Sequence, residues 1–193
     1  MLDSSQTVPT LAEVMDAIPA GIGVNLDIKE GSDDVCFGSI NDPEAERNDW
    51  AWLEGAYEVA TDYDNELLIS TFWEGALATT RDIIPDVSAA FLFRESIEEG
   101  LTVTERYDCE AVNPPIPMIL DTPFFASEEY EQWIVGEYDE IDLVAAAHDA
   151  GREVNVWTLN TWYEAEQLRD ADVDGLITDC DGLLNWGERE LRS

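Results

Sequence analysis

The stretch from Val154 to Asp181 most constrains the fold, because it reads as an apolar strand, a one-sided helix and a second apolar strand in close succession. Val154, Val156 and Trp157 are β-branched or aromatic, and Gly151 just ahead of them closes a preceding helix. Tyr163, Gln167 and Ala171, with Ala165, Leu168 and Val173, recur at helical spacing before Gly175, Leu176, Ile177 and Thr178 form the second run. Strands joined by so short a helical crossover run parallel. The same unit repeats upstream, so the chain is expected to build a parallel sheet with helices outside.

Taken in order, Thr10 or Ser5 caps a first helix, in which Leu11, Val14, Met15 and Ile18 share one face and Pro19 ends the run. Strand one, Gly23 to Lys29, alternates: Val24, Leu26 and Ile28 on one side, Asn25, Asp27 and Lys29 on the other. A hydrophilic insertion, Glu30 to Asn41, precedes Asp42 and Pro43, which begin a helix reaching about Thr61. Trp50, Leu53, Tyr57 and Ala60 form its buried stripe, and Trp52, Ala56 and Val59 widen it. Leu67 to Phe72 and Ser88 to Phe93 are strands two and three, separated by a helix from Glu74 with Leu77, Thr80 and Ile84 inward. A short helix near Glu95 to Gly100 and a fourth strand, Cys109 to Asn113, follow.

Pro114, Pro115, Pro117 and Pro123 break regular structure, so residues 114–138 read as a long loop with at most a short helix around Ser127 to Val135. Its Phe124, Phe125, Tyr130 and Trp133 suit either a lid or oligomer contact, or an anchor to the core. Ile141 to Ala150 and Leu183 to Leu191 read as helices. Residues 1–193 are expected to form one domain, as 45% hydrophobic content allows a sizeable core.

The formal net charge of −35 exceeds what solubility needs and points to concentrated salt, where screening relieves self-repulsion. The competing reading is an acidic interaction protein in ordinary salt. A nucleic-acid partner is not expected, because no basic patch could neutralise phosphates. No apolar run is long enough to span a membrane, and the N-terminus lacks an export pattern, so a cytoplasmic setting is expected. Cys36, Cys109 and Cys180 are too scattered for a disulfide framework or a zinc site, and read as buried small hydrophobes.

In parallel α/β folds, sites form at the C-terminal ends of strands. The residues there are Asp27 and Lys29, Ser70 and Phe72, Phe93, Asn113, Trp157 and Asn160, and Asp179. Asp27 and Lys29 leave one face of a strand about 7 Å apart, one suited to a divalent cation and the other to a phosphate. Lys29 is the only Lys in the chain, against eight Arg. An ion pair inside a barrel accounts for the same two residues equally well.

Several of these segments resemble the glycerophosphodiester phosphodiesterase family. Gly23 to Lys29, GVNLDIK, is similar to its L-N-I-E-x-K strand, and Ile69 to Phe72 to its S-S-F strand. Ala111 to Pro114 is similar to its A-x-N-P or A-x-H-P strand. Val154 to Asn160 and Val173 to Asp179 resemble its V-x-V-W-T-x-N and V-D-G-I-I-T-D strands. The resemblance, collinear from about residue 9 to 181, implies a TIM-type (β/α) barrel and hydrolysis of a small-molecule glycerophosphodiester to glycerol 3-phosphate and an alcohol. It further implies that Asp27, where Glu is usual, binds the catalytic Mg or Ca, that Lys29 stabilises phosphate charge, and that Phe72 and Trp157 wall the glycerol end.

The family's opening section carries a His-Arg-Gly strand, a Glu-x-Asp metal pair and a second His followed by Asp, the two His acting as acid and base. By this resemblance the chain begins after all of them, and its one His, His148, lies near a helix C-terminus, where it reads as structural. About six strands are counted where a closed barrel has eight. The expectation is therefore an incomplete barrel: a start placed too late, a chain completed by another chain or by a second copy, or an inactive fragment acting through partners. No G-x-S-x-G, P-loop or G-x-G-x-x-G offers other chemistry.

Overall fold

A computed structural model describes residues 7–29, 49–127, 129–130, 141–180 and 182–183. Six strands, β1 (Val24–Ile28), β2 (Leu67–Thr71), β3 (Ser88–Leu92), β4 (Ala111–Asn113), β5 (Glu153–Leu159) and β6 (Gly175–Thr178), form one sheet in chain order. Every neighbouring pair is parallel, with Asp27 level with Ser70, Ser70 with Ala90, Ala90 with Ala111, and Asn155 with Gly175. The sheet curls into a half-barrel, its helices on the convex side. No helix among the described residues is long and apolar enough to cross a membrane.

The helices are α1 (Leu11–Ala17), α2 (Leu53–Thr61), α3 (Glu74–Ile83), α4 (Ile97–Arg106), α5 (Leu143–Asp149) and α6 (Trp162–Asp170). Their starts follow from sequence. Thr10 and Glu13 close a capping box on α1, and Thr161 and Glu164 close one on α6, each pair satisfying two orphan N–H groups. Ser96 and Asp142 cap α4 and α5 with single side-chain bonds. Gly151, at φ 73°, takes the left-handed position just after α5.

Strand alternation divides the sheet. Ala89, Phe91, Val112, Val154 and Val156 face outward into the main core, where they join Leu77, Ile97, Val103, Leu143 and Leu168 from the helices. A second cluster, Ile28, Trp50, Leu53, Tyr57 and Ile69, seals α2 against β1 and β2, so the expected stripe of α2 is buried. The other set, Asn25, Asp27, Ser70, Ala90, Ala111, Asn113 and Asn155, lines the concave face.

Several local expectations need correction. Val14 and Trp52 are 38% and 51% exposed, so α1 buries Met15 without Val14, and Trp52 flanks the stripe of α2 without widening it. Tyr163 is exposed, and α6 buries Glu164, Ala165 and Leu168. The helix after β3 continues to Arg106, well past Gly100. Gly100 does not stop it, because its role is close packing: an added Cβ would lie 2.5 Å from the Phe93 ring. The expected ends of strands two, three and four, Phe72, Phe93 and Cys109, lie just outside the hydrogen-bonded ladder.

The described part of the long loop is a packed excursion. A 3₁₀ turn, Ile116–Met118, buries Ile116 and Met118, and Ile119 and Phe124 enter the main core. Phe124 meets Tyr130 and Tyr163 edge to face, and the Tyr130 hydroxyl donates to Glu164. The anchoring role therefore holds for Phe124 and Tyr130. The insertion at 30–41, the start of the helix at Asp42, most of the 127–135 helix with Trp133, the closing helix and Cys36 lie outside the described residues.

Candidate active site

The C-terminal ends of the strands bring Asp27, Lys29, Ser70, Phe72, Asn113 and Trp157 to one rim of the concave face. On β1, alternation puts Asp27 and Lys29 on the same side, and Lys29 Nζ pairs with Asp27 Oδ2 at 3.0 Å. Their side chains stay 65% and 38% exposed, so this pair is a solvated rim contact, unlike the enclosed ion pair that the sequence also allowed. Ser70 Oγ donates to Asn25 Oδ1 at 2.8 Å and fixes the polar residues of β1 and β2 beneath the pair. At the end of β2, the Thr71 hydroxyl donates to the Ile28 carbonyl and accepts from the Trp73 N–H, which closes the strand and starts α3.

Phe72 leaves this turn toward the concave side and meets Trp157 edge to face, with centroids 5.6 Å apart and planes at 80°. Trp157 is held from below, its indole N–H donating to the Asn113 carbonyl at 2.7 Å and its own N–H to the Pro114 carbonyl at 3.1 Å. Asn155 Nδ2 donates to Asn113 Oδ1 at 3.3 Å, which continues the polar row across β4 and β5. The peptide between Trp157 and Thr158 is cis.

Two residues of the site escaped the sequence reading. Arg94, two residues past β3, lines a small cleft beside Phe72 together with Leu92, Glu95, Ser96 and Glu99; its position near a strand end was the available signal. Asn155 is a lone polar residue in an apolar strand, which by itself signals no site. Phe93, by contrast, stacks on Phe91 and packs into the helix layer. Asn160 and Asp179 end β5 and β6 in exposed positions.

His148 lies at the opposite end of the barrel. Its Nε2 is 2.9 Å from Asp174 Oδ2, just before β6, and the same oxygen accepts from the Val154 N–H at 2.8 Å. That cluster ties α5 to the N-terminal ends of β5 and β6 and contributes nothing to the rim. A hollow of about 500 Å³, lined by Glu66, Glu110 and Glu153, also sits at these N-terminal ends, away from the rim residues. Burial pushes the Cys109 thiol up to about 12, which removes it as a nucleophile at neutral pH.

The described residues do not make a divalent-metal site by themselves. Among the described residues no group of three His, Cys, Asp or Glu could hold an ion, and the Asp27 carboxylate is engaged by Lys29. Mg and Ca take six or more oxygen ligands.

The family model described as glycerophosphoryl diester phosphodiesterase family matches residues 2–181. Among solved structures, a phosphodiesterase from Oleispira antarctica in complex with the product sn-glycerol-3-phosphate is similar at 20% identity and TM-score 0.62, covering 89% of this chain and 57% of that one. A protein assigned as a glycerophosphodiester phosphodiesterase from Galdieria sulphuraria is similar at 16% identity and TM-score 0.63, covering 91% and 62%. One similarly assigned, from Silicibacter pomeroyi DSS-3, is similar at 21% identity and TM-score 0.60, covering 90% and 54%. The chain thus spans less than two thirds of each, and at these identities the likeness concerns the fold. No curated protein matches the chain.

Proposed function

Because the chain belongs to the glycerophosphoryl diester phosphodiesterase family, we propose that it supplies the phosphate- and glycerol-holding wall for hydrolysis of a glycerophosphodiester to glycerol 3-phosphate and an alcohol. The observation that carries this reading is the rim itself, which combines the Lys29 ammonium with an aromatic pair. Lys29 offers a solvated ammonium to the phosphate, and stabilising its developing negative charge is the largest service a site of this kind renders. Phe72 and Trp157 present an edge-to-face aromatic surface that would flank the glycerol carbons. In this reading Asp27 orients Lys29 through their contact. A cytoplasmic, salt-rich setting belongs to the same reading, supported by the charge of −35 and by the free thiols of Cys109 and Cys180.

Cleavage also needs a group to protonate the leaving alkoxide and one to activate the attacking water. His148 lies at the wrong end of the strands for either task. That placement favours a second reading, a binding module whose acid and base come from another polypeptide, either a completing chain or a second copy.

One assay separates the readings: the purified chain in molar KCl with Mg²⁺ or Ca²⁺, given a glycerophosphodiester and followed for glycerol 3-phosphate. Release that Lys29→Met abolishes supports hydrolysis by this chain. No release, with glycerol 3-phosphate still bound, favours the binding module, and neither release nor binding contradicts both.

A further inference from the structure

Asn113 occupies the last position of β4. Val112 beside it enters the core under the helices, so alternation leaves Asn113 on the concave face above Ala111. Both of its oxygens are committed. The carbonyl accepts from the Trp157 indole at 2.7 Å, and Oδ1 accepts from Asn155 Nδ2 at 3.3 Å. The Asn155 carboxamide is itself held in place by shape: its Oδ1 lies 2.0 Å from where a Cβ on Gly175 would be, so only a residue without a side chain lets it lie across β6. With Oδ1 turned toward Asn155, the other end of the Asn113 amide has a fixed direction. Its Nδ2 is buried and meets no hydrogen-bonding partner among the described residues, although Asn113 is 0% exposed. Proteins rarely leave a buried donor in that state.

We propose that Asn113 is a specificity-determining residue of the rim, its Nδ2 donating to a hydroxyl oxygen on the glycerol half of the bound diester. The proposal rests on the function proposed above. Asn113 lies three strands from Lys29 but directly beneath Trp157, so it addresses the glycerol and leaves the phosphate to Lys29. Because the amide is buried, the ligand oxygen reaches it as the Phe72 and Trp157 rings part. Asn155 acts through Asn113 and is a positioning residue.

The test is calorimetric titration of the full chain in molar KCl with sn-glycerol 3-phosphate and, separately, inorganic phosphate. Asn113→Asp keeps an acceptor for Asn155 and loses the donor. It should weaken glycerol 3-phosphate binding by about tenfold or more, while phosphate binding changes by less than about twofold. Unchanged affinity for glycerol 3-phosphate, or equal losses for both ligands, overturns the proposal and leaves the family function standing. Should that variant not fold, Asn155→Ala carries the test, since it leaves Asn113 in place and frees its amide to rotate. A loss of about threefold confined to glycerol 3-phosphate is then expected, and no loss overturns the proposal. If the wild-type chain binds neither ligand, the functional reading fails and this proposal with it.

Discussion

Phe72 and Trp157 come from strands separated by two others, yet their rings meet edge to face with centroids 5.6 Å apart. Only a sheet curled about its concave side brings them together. The contact is therefore both a consequence of the barrel-like curvature and one wall of the proposed glycerol site. An edge-to-face pair contributes about 0.5–1.5 kcal/mol beyond its buried area. A double-mutant cycle on Phe72→Leu and Trp157→Leu, read from chemical denaturation, should return a coupling in that range, and additive effects would remove the pair as a unit.

Lys29 and Asp27 should matter to binding far more than to folding. Their exposed ion pair is worth at most about 1 kcal/mol, and salt screens it further. Lys29→Met is expected to shift the unfolding midpoint only slightly in molar KCl while reducing affinity for inorganic phosphate at least about tenfold. A large stability loss with unchanged affinity would make Lys29 a structural residue.

The charge of −35 implies stability that grows with ionic strength. At about 1 M salt the Debye length is about 3 Å, so repulsion between scattered carboxylates is largely removed. The melting temperature should climb steadily between dilute buffer and molar KCl. A flat profile would favour an acidic interaction protein adapted to ordinary salt.

Acid should destabilise the fold through Glu164 and Asp174. Burial pushes the Glu164 carboxyl up, but bonds from Tyr130, the Asn160 and Thr161 N–H groups and the Thr161 hydroxyl together bring it below its ordinary 4.5. Burial likewise opposes, and bonds from Val154 and His148 outweigh it in, the lowering of Asp174 below its ordinary 3.8. A depressed carboxyl stabilises the fold fully above its ordinary value and loses that contribution as pH falls through its folded value. In molar KCl, where relief of repulsion is small, the melting temperature should fall as pH drops below 4.5, and Glu164→Gln should flatten part of that fall. An unchanged slope in the variant would contradict the assignment.

Gly175→Ala should destabilise by about 1–3 kcal/mol, since the new Cβ meets Asn155 Oδ1. Adding Asn155→Ala removes the obstacle and should recover most of the loss in the same denaturation measurement. No recovery would place the cost in the backbone of β6.

Much of this architecture was legible because it is local. Thr10 announces a helix start, and the alternation of Val24, Leu26 and Ile28 against Asn25, Asp27 and Lys29 assigns faces of a strand. What escaped depends on chain segments far apart in sequence. Gly100 reads as a helix end until Phe93 is seen to need its space. The row from Asn113 through Asn155 to Gly175 joins three strands, and no spacing within any one of them signals it. For Asp27 and Lys29, spacing allowed a ligand pair or an enclosed ion pair, and only the side-chain geometry shows their contact to be solvated.

The most direct test of the account is a backbone NMR titration of the full chain with sn-glycerol 3-phosphate in molar KCl. The rim assignment predicts shift changes concentrated at Asp27 to Lys29, Ser70 to Phe72, Asn113 and Trp157. Changes concentrated instead around Glu66, Glu110 and Glu153, at the hollow on the opposite end, would contradict it.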